Sequence, residues 1–258
     1  YRGSLFGNFR PSGLEAGWKQ LVTPNGTVNT QGQDDYDYGA GVGGRIITDR
    51  LFFFGTVNQQ HQSRTFTAPS DFPLASLGDV DRERRIVSYA GKVTYQPTTA
   101  HRVDFSAFGD PAKGDNGPQR NDSLLADDTG RFSELTKYGG HNQAIRYDGV
   151  LGAHWLVEGS ISHAKNQFTE TPSLNEHSYT DFRVVPNRVF GGIGFYDRGQ
   201  PGINWQYQAK STHLFNAAGS HQVRYGVQYE DVNFVREFGR TGPPFMLSDG
   251  TMTRTGAP

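Results

Sequence analysis

The stretch Arg85-Ile86-Val87-Ser88-Tyr89-Ala90-Gly91-Lys92-Val93-Thr94-Tyr95 repeats with a period of two. Val87, Tyr89, Gly91, Val93 and Tyr95 fall on one side of an extended chain, and Ser88, Ala90, Lys92 and Thr94 on the other. Successive side chains of a strand point to opposite faces, so this pattern predicts a strand with one apolar, aromatic face and one polar face. Residues 221–230 repeat it: Val223, Tyr225, Val227 and Tyr229 oppose Gln222, Arg224, Gly226, Gln228 and Glu230. In residues 101–107, Val103, Phe105 and Ala107 oppose Arg102, Asp104 and Ser106. No stretch longer than two turns keeps helical spacing.

Working outward with the same criterion gives about nine strands, over residues 1–10, 36–46, 51–61, 84–96, 100–109, 142–151, 155–169, 206–216 and 221–237. Most reach about ten residues, longer than the usual five or six and enough to cross a hydrocarbon layer when tilted. The connections alternate. Ile47-Thr48-Asp49-Arg50, Pro97-Thr98-Thr99, Gly152-Ala153-His154 and Ala217-Ala218-Gly219-Ser220 are tight, while residues 11–35, 62–83, 110–141 and 170–205 are long and polar. Long structureless loops are uncommon in compact soluble domains. Strict alternation of short and long links is the pattern of an up-and-down barrel, with short turns at one membrane face and long loops at the other. A soluble sandwich would show the same periodicity. Strand length, loop alternation and aromatics near strand ends (Phe52, Phe53, Tyr95, Trp155, Phe168, Trp205, Tyr207) favour the membrane.

Composition agrees. The 258 residues include 33 glycines and no cysteine, aromatics are 13%, and the net charge is −1. Disulfide frameworks and cysteine metal sites are excluded, and the strong basic field of a nucleic-acid binder is missing. No apolar run is long enough for a transmembrane helix.

Several motifs invite a chemical reading. Gly39-Ala40-Gly41-Val42-Gly43-Gly44 matches G-x-G-x-x-G, but a dinucleotide site needs that loop to open a helix. Here Arg45-Ile46-Ile47 follows, which predicts small residues within a strand, at a place of close packing. Asp110, Asp115, Asp122, Asp127 and Asp128 lack calcium-loop spacing and read as a solvated loop. None of the eight histidines forms H-x-x-x-H. His61 and His141, near outer strand ends, are the two that a metal or metal chelate could contact. The adjacent pairs Asp34–Asp35 and Glu230–Asp231 point to opposite faces of a strand and cannot form an acid–base pair. No catalytic, cofactor or metal residue is assigned, and the chain reads as a non-enzyme. The polar-face residues Lys92, Arg102, Asp104, Arg224, Gln228 and Glu230 would face a barrel lumen, along a substrate path or against an inner domain and water.

The run Gly43-Gly44-Arg45-Ile46-Ile47-Thr48-Asp49-Arg50-Leu51-Phe52-Phe53-Phe54-Gly55 resembles a hairpin joining the second and third barrel strands of TonB-dependent outer-membrane receptors of the Oar-like branch. Tyr1-Arg2-Gly3-Ser4-Leu5-Phe6 is similar to that group's first barrel strand, and Ser220-His221-Gln222-Val223-Arg224-Tyr225-Gly226 to the start of a later one. Arg45 stands where proline is common, and Arg224-Tyr225 replaces Lys-Phe. The resemblance implies a bacterial outer-membrane barrel of about 22 strands around a plug, of which residues 1–258 would be one fragment. Signal peptide, plug and remaining strands would lie outside it. Such a fragment, with two open edges, is expected neither to insert stably nor to transport alone. The implied role is energised uptake of a bulky, scarce solute such as a ferric chelate, cobalamin, glycan or peptide. The implied partners are outer-membrane lipid, the protein's own plug, the TonB complex and an unknown small solute, without nucleic acid or cofactor. Two alternatives stand beside it: an outer-membrane adhesion or structural barrel without transport, and a secreted β-sandwich binding domain. The sandwich predicts that the Val87/Tyr89/Val93 face is buried against a second sheet.

Overall fold

Each alternating segment becomes a strand, and each tight link becomes a hairpin. The computed structural model describes residues 1–16, 29–67, 78–115, 133–181, 183, 188–191, 193–244 and 249–250. The elements are β1 (Arg2–Arg10), a 3-10 turn (Ser12–Leu14), β2 (Asn29–Ile47), β3 (Leu51–Thr67), β4 (Val80–Thr98), β5 (His101–Gly109) and β6 (Ala112–Gly114). There follow β7 (Ser133–Leu151), β8 (Trp155–Pro172), β9 (Ser178–Asp181), β10 (Arg188–Gly191), β11 (Phe195–Asn216) and β12 (Ser220–Arg240). One antiparallel meander runs β1-β2-β3-β4-β5-β7-β8-β11-β12, with β6 pairing both β4 and β7. The nine-strand path thus matches the alternation read from the sequence. Strand β6 continues the row of β5 after a break at Asp110-Pro111, where proline has no N–H for the ladder and its carbonyl accepts from the Val87 amide at 2.9 Å. A separate ribbon pairs β9 with β10.

Hairpin tips use left-handed backbone where the sequence allows it: Asp49 (φ 58°), Gly152 (φ 71°) and Ala218 (φ 53°). The described parts of the long links, expected to be loops, are largely strand. β2, β4 and β7 have 19 residues each, β11 has 22 and β12 has 21. Beyond the apolar band both faces of a strand meet water, so the period-two signal fades while the hydrogen-bond ladder continues.

The register fixes the tilt. A row of directly opposed residues, Leu51–Tyr95–Val103–Tyr147–Gly159–Ala209–Val227, crosses β3 to β12. It lies about two residues from the first hairpin tip and about nine from the last. At roughly 3.3 Å per residue and 4.8 Å per strand that is a tilt near 40°, within the range of membrane barrels.

Packing separates the rival folds. The apolar face is uncovered: Val93 is 39% exposed, Ile145 50% and Ile161 48%, although these strands lie inside the sheet. No second sheet covers them among the described residues, which contradicts the sandwich reading. The buried apolar residues are Phe66, Val80, Ala112, Ile193 and Tyr196, all at the end of the sheet away from the hairpins. Phe66 lies opposite Val80, with the Arg82 guanidinium 4.5 Å above its ring. A sheet that hides so little apolar surface from its surroundings is built for lipid rather than water.

Candidate functional site

The register carries one face across the whole wall. Asp104 lies opposite Arg146, Arg146 opposite Ser160, Ser160 opposite Gln208 and Gln208 opposite Gln228. One row nearer the hairpins, Arg102, Asp148, Glu158, Lys210 and Gly226 follow the same path. Lys92, Arg102, Asp104, Arg224, Gln228 and Glu230 therefore share one polar face. They divide into two levels.

The level nearer the hairpins is a charged belt. Asp104 sits 3.4 Å from Lys92 and 3.1 Å from Arg102. Arg146 pairs with Asp148 at 3.0 Å and Glu158 at 3.2 Å, and Glu158 also takes Arg224 at 2.6 Å. With Lys210 opposite Glu158, five cations meet three carboxylates. The arginines keep about half of their side-chain surface open, so the individual pairs add little stability and the guanidinium groups stay available to other partners. Arg146, Asp148 and Glu158 were not among the residues singled out from sequence. The alternation of Arg146 and Asp148 with Ile145 and Tyr147 carries that signal.

Further from the hairpins the face turns to amides. Gln208 donates to Gln228 at 3.2 Å, and Asn204 donates to Glu230 at 2.6 Å. The amides offer hydrogen bonds to neutral polar solutes, and Glu230 adds a carboxylate to this level.

A third surface lies on β1–β3. Gly39, Gly41 and Gly43 of the G-x-G-x-x-G match face Asn58, Thr56 and Phe54 on one side and Phe6, Ser4 and Arg2 on the other. They belong to a strand, so they form no helix-capped phosphate loop. A Cβ on Gly39 would meet the Val57 carbonyl oxygen at 2.5 Å and the Phe6 ring at 2.6 Å. Bare backbone here leaves a depression of about 860 Å³ lined by Arg2, Gly41, Gly43, Arg45, Phe52 and Phe54. Phe52 lies opposite Thr94 on the polar face; sequence had placed it with the membrane aromatics.

The histidines sort differently from the expectation. The His61 and Tyr36 ring centroids are 6.2 Å apart, and the Tyr89 hydroxyl lies 2.8 Å from His141 Nδ1, both pairs on the apolar face. Nearer the hairpins His101 meets Tyr147, and His213 stacks between Trp155 and Tyr225. These pairs form two aromatic–imidazole bands, one at each edge of the apolar zone, where amphipathic rings sit at lipid–water boundaries. His61 and His141 point away from the polar face. Among the described residues no group of metal-ligating side chains is present. The acidic residues Asp122, Asp127 and Asp128 lie outside the described residues.

Beyond the membrane band, β11 and β12 are cross-linked. Arg236 donates to Asp197 at 2.9 and 2.6 Å, and Arg198 donates to Glu237 at 2.9 and 3.1 Å. Hydrogen bonds from Arg198 and then from the Tyr196 hydroxyl hold the Glu237 carboxyl below its ordinary 4.5. The folded-state value is depressed, so the stabilisation is complete above the ordinary value and fades as pH falls below it. An NMR titration of the full-length protein should place Glu237 below ordinary glutamates, and Arg198→Gln should bring it back up.

Comparison with known proteins agrees with this geometry. The chain is 26% identical, over an aligned length of 314 residues, to the TonB-dependent transporter Oar of Myxococcus xanthus, covering 93% of this chain and 30% of that protein. Its fold matches the crystal structure of the outer membrane transporter YddB from Escherichia coli with a TM-score of 0.62 at 14% identity, over 88% of this chain and 30% of that one. No family model matches. The chain thus spans about a third of the length of either relative. Together with the uncovered apolar face, these likenesses make it a length of bacterial outer-membrane β-barrel wall, with hairpins at one rim and long strand extensions at the other.

Proposed function

We propose that this wall belongs to a TonB-dependent transporter that carries a bulky, scarce solute inward, and that residues 1–258 form one part of its barrel. The observation that carries this reading is the polar face, organised in levels over most of a chain similar to a TonB-dependent transporter. Half-open guanidinium and carboxylate groups near the hairpins suit the seating of an inner plug. The glycine depression suits a segment approaching the wall closely. The amide level above suits transient hydrogen bonding to a passing solute. Additional strands would pair the free edges of β1 and β12, because a bilayer core leaves no water for unpaired backbone groups. The wall performs no bond chemistry; energy would come from TonB acting on the plug.

The test is genetic and quantitative. Cells lacking the full-length protein and cells lacking TonB should lose accumulation of the same labelled solute to the same extent, in a screen of ferric chelates, cobalamins, glycans and peptides. Solute uptake or surface binding that persists unchanged without TonB would favour an adhesion barrel instead.

A further inference from the structure

Four cations on the lipid side of the wall line one depression. Val87 and Tyr89 belong to the apolar face, and Arg85, two residues further along β4, continues it. Lys113 lies directly opposite Arg85, and Lys165 directly opposite His141. Arg85, Lys113, Lys137, His141 and Lys165 surround one depression of about 460 Å³ floored by Val87, Pro111, Ala112 and Gly139. Arg85 is paired with Glu83 at 2.9 Å. Among the described residues none of the three lysines has an ion-pair partner.

Its height follows from the tilt. On the apolar face ten positions separate Arg85 from Tyr95, His141 from Leu151 and Lys165 from Trp155. At roughly 3.3 Å per residue and a tilt near 40° that is about 25 Å along the membrane normal, the height of the lipid-facing band of such barrels. The cations therefore stand just above the hydrocarbon, at the extracellular rim, where lipid headgroups lie. Cations over an apolar floor that runs down into Val87 and Tyr89 suit an amphiphile with an anionic head better than a freely soluble anion.

We propose that this depression binds the phosphorylated headgroup of an outer-leaflet lipid, its phosphates on Lys113, Lys137 and Lys165 and its apolar part against Val87 and Tyr89. The inference rests on the outer-membrane reading of the wall. Each exposed cation near such a headgroup strengthens binding roughly fivefold, so removing three should weaken it on the order of a hundredfold.

The experiment uses the full-length protein in phosphatidylcholine nanodiscs doped with a bis-phosphorylated glycolipid or the same lipid after phosphatase treatment, with bound lipid counted by native mass spectrometry. Retention of the phosphorylated form, its loss in Lys113→Gln/Lys137→Gln/Lys165→Gln, and its persistence in Arg50→Gln at a hairpin of the opposite rim support the proposal. Resistance of the unheated barrel to detergent verifies that each variant is folded. Equal retention of the two lipids, or full retention by the triple variant, overturns it. Displacement of the lipid by inorganic pyrophosphate at equal concentration would make this a soluble-anion site and overturns it too. A protein that failed to enter the bilayer would bring down the membrane reading and this inference together.

Discussion

Replacing Ile161 by arginine should destabilise the barrel by about 2–4 kcal/mol, while Gln208→Arg on the facing strand should cost a small fraction of that. Ile161 lies opposite Ile145 and Tyr207, on the uncovered apolar face and about eight residues from its hairpin tip, deep in the hydrocarbon. A guanidinium there must either stay in lipid or thin the bilayer to reach water. Gln208 is one position off in the alternation and opens onto the polar face, where an added charge remains hydrated. Equilibrium folding of the full-length protein into vesicles, followed by tryptophan fluorescence in urea, checks the pair. Equal losses would mean that the faces are assigned the wrong way round.

Gly139→Ala should be nearly as costly, for a backbone reason. Gly139 has φ of +93°, and a Cβ built on it would lie 2.1 Å from the Asp110 carbonyl oxygen. Relief would require moving the Asp110-Pro111 break, where Asp110 Oδ1 accepts from the Gly140 amide at 2.8 Å. Left-handed strain and the steric overlap together amount to roughly 2–4 kcal/mol. Hydrogen exchange in β6 and the outer half of β7 should rise, with protection near the hairpins unchanged. Uniform loss of protection would show that the defect is global.

Much of this wall was legible because its period-two alternation is strong where one face meets lipid and the other meets water. Val87, Tyr89, Val93 and Tyr95 give the apolar face of β4 directly. What escaped depends on neighbours distant in sequence. Nothing around His213 or Trp155 announces their stacking, because it exists only once β8 and β11 are in register. Phe52 reads as a membrane aromatic until its partner Thr94 assigns it to the other face. The strand extensions beyond the band were silent because water on both sides removes the selection for alternation. The six polar-face residues were placed by parity alone; their division into ion pairs and amide contacts required the tilt.

The meander pairs every strand of its main path with the next one along that path, and this bears on assembly. Four hairpins close across turns in which paired residues are three or four positions apart, such as Asn216–Ser220 and Thr98–His101. The remaining junctions must first close spans of tens of residues, for example Glu170 to Asp197, at an additional entropic cost of roughly 1–2 kcal/mol. The hierarchy predicts that β2–β3, β4–β5, β7–β8 and β11–β12 form first as independent folding units. They would then dock edge to edge, so the barrier to insertion resides in those second encounters rather than in making any one hairpin.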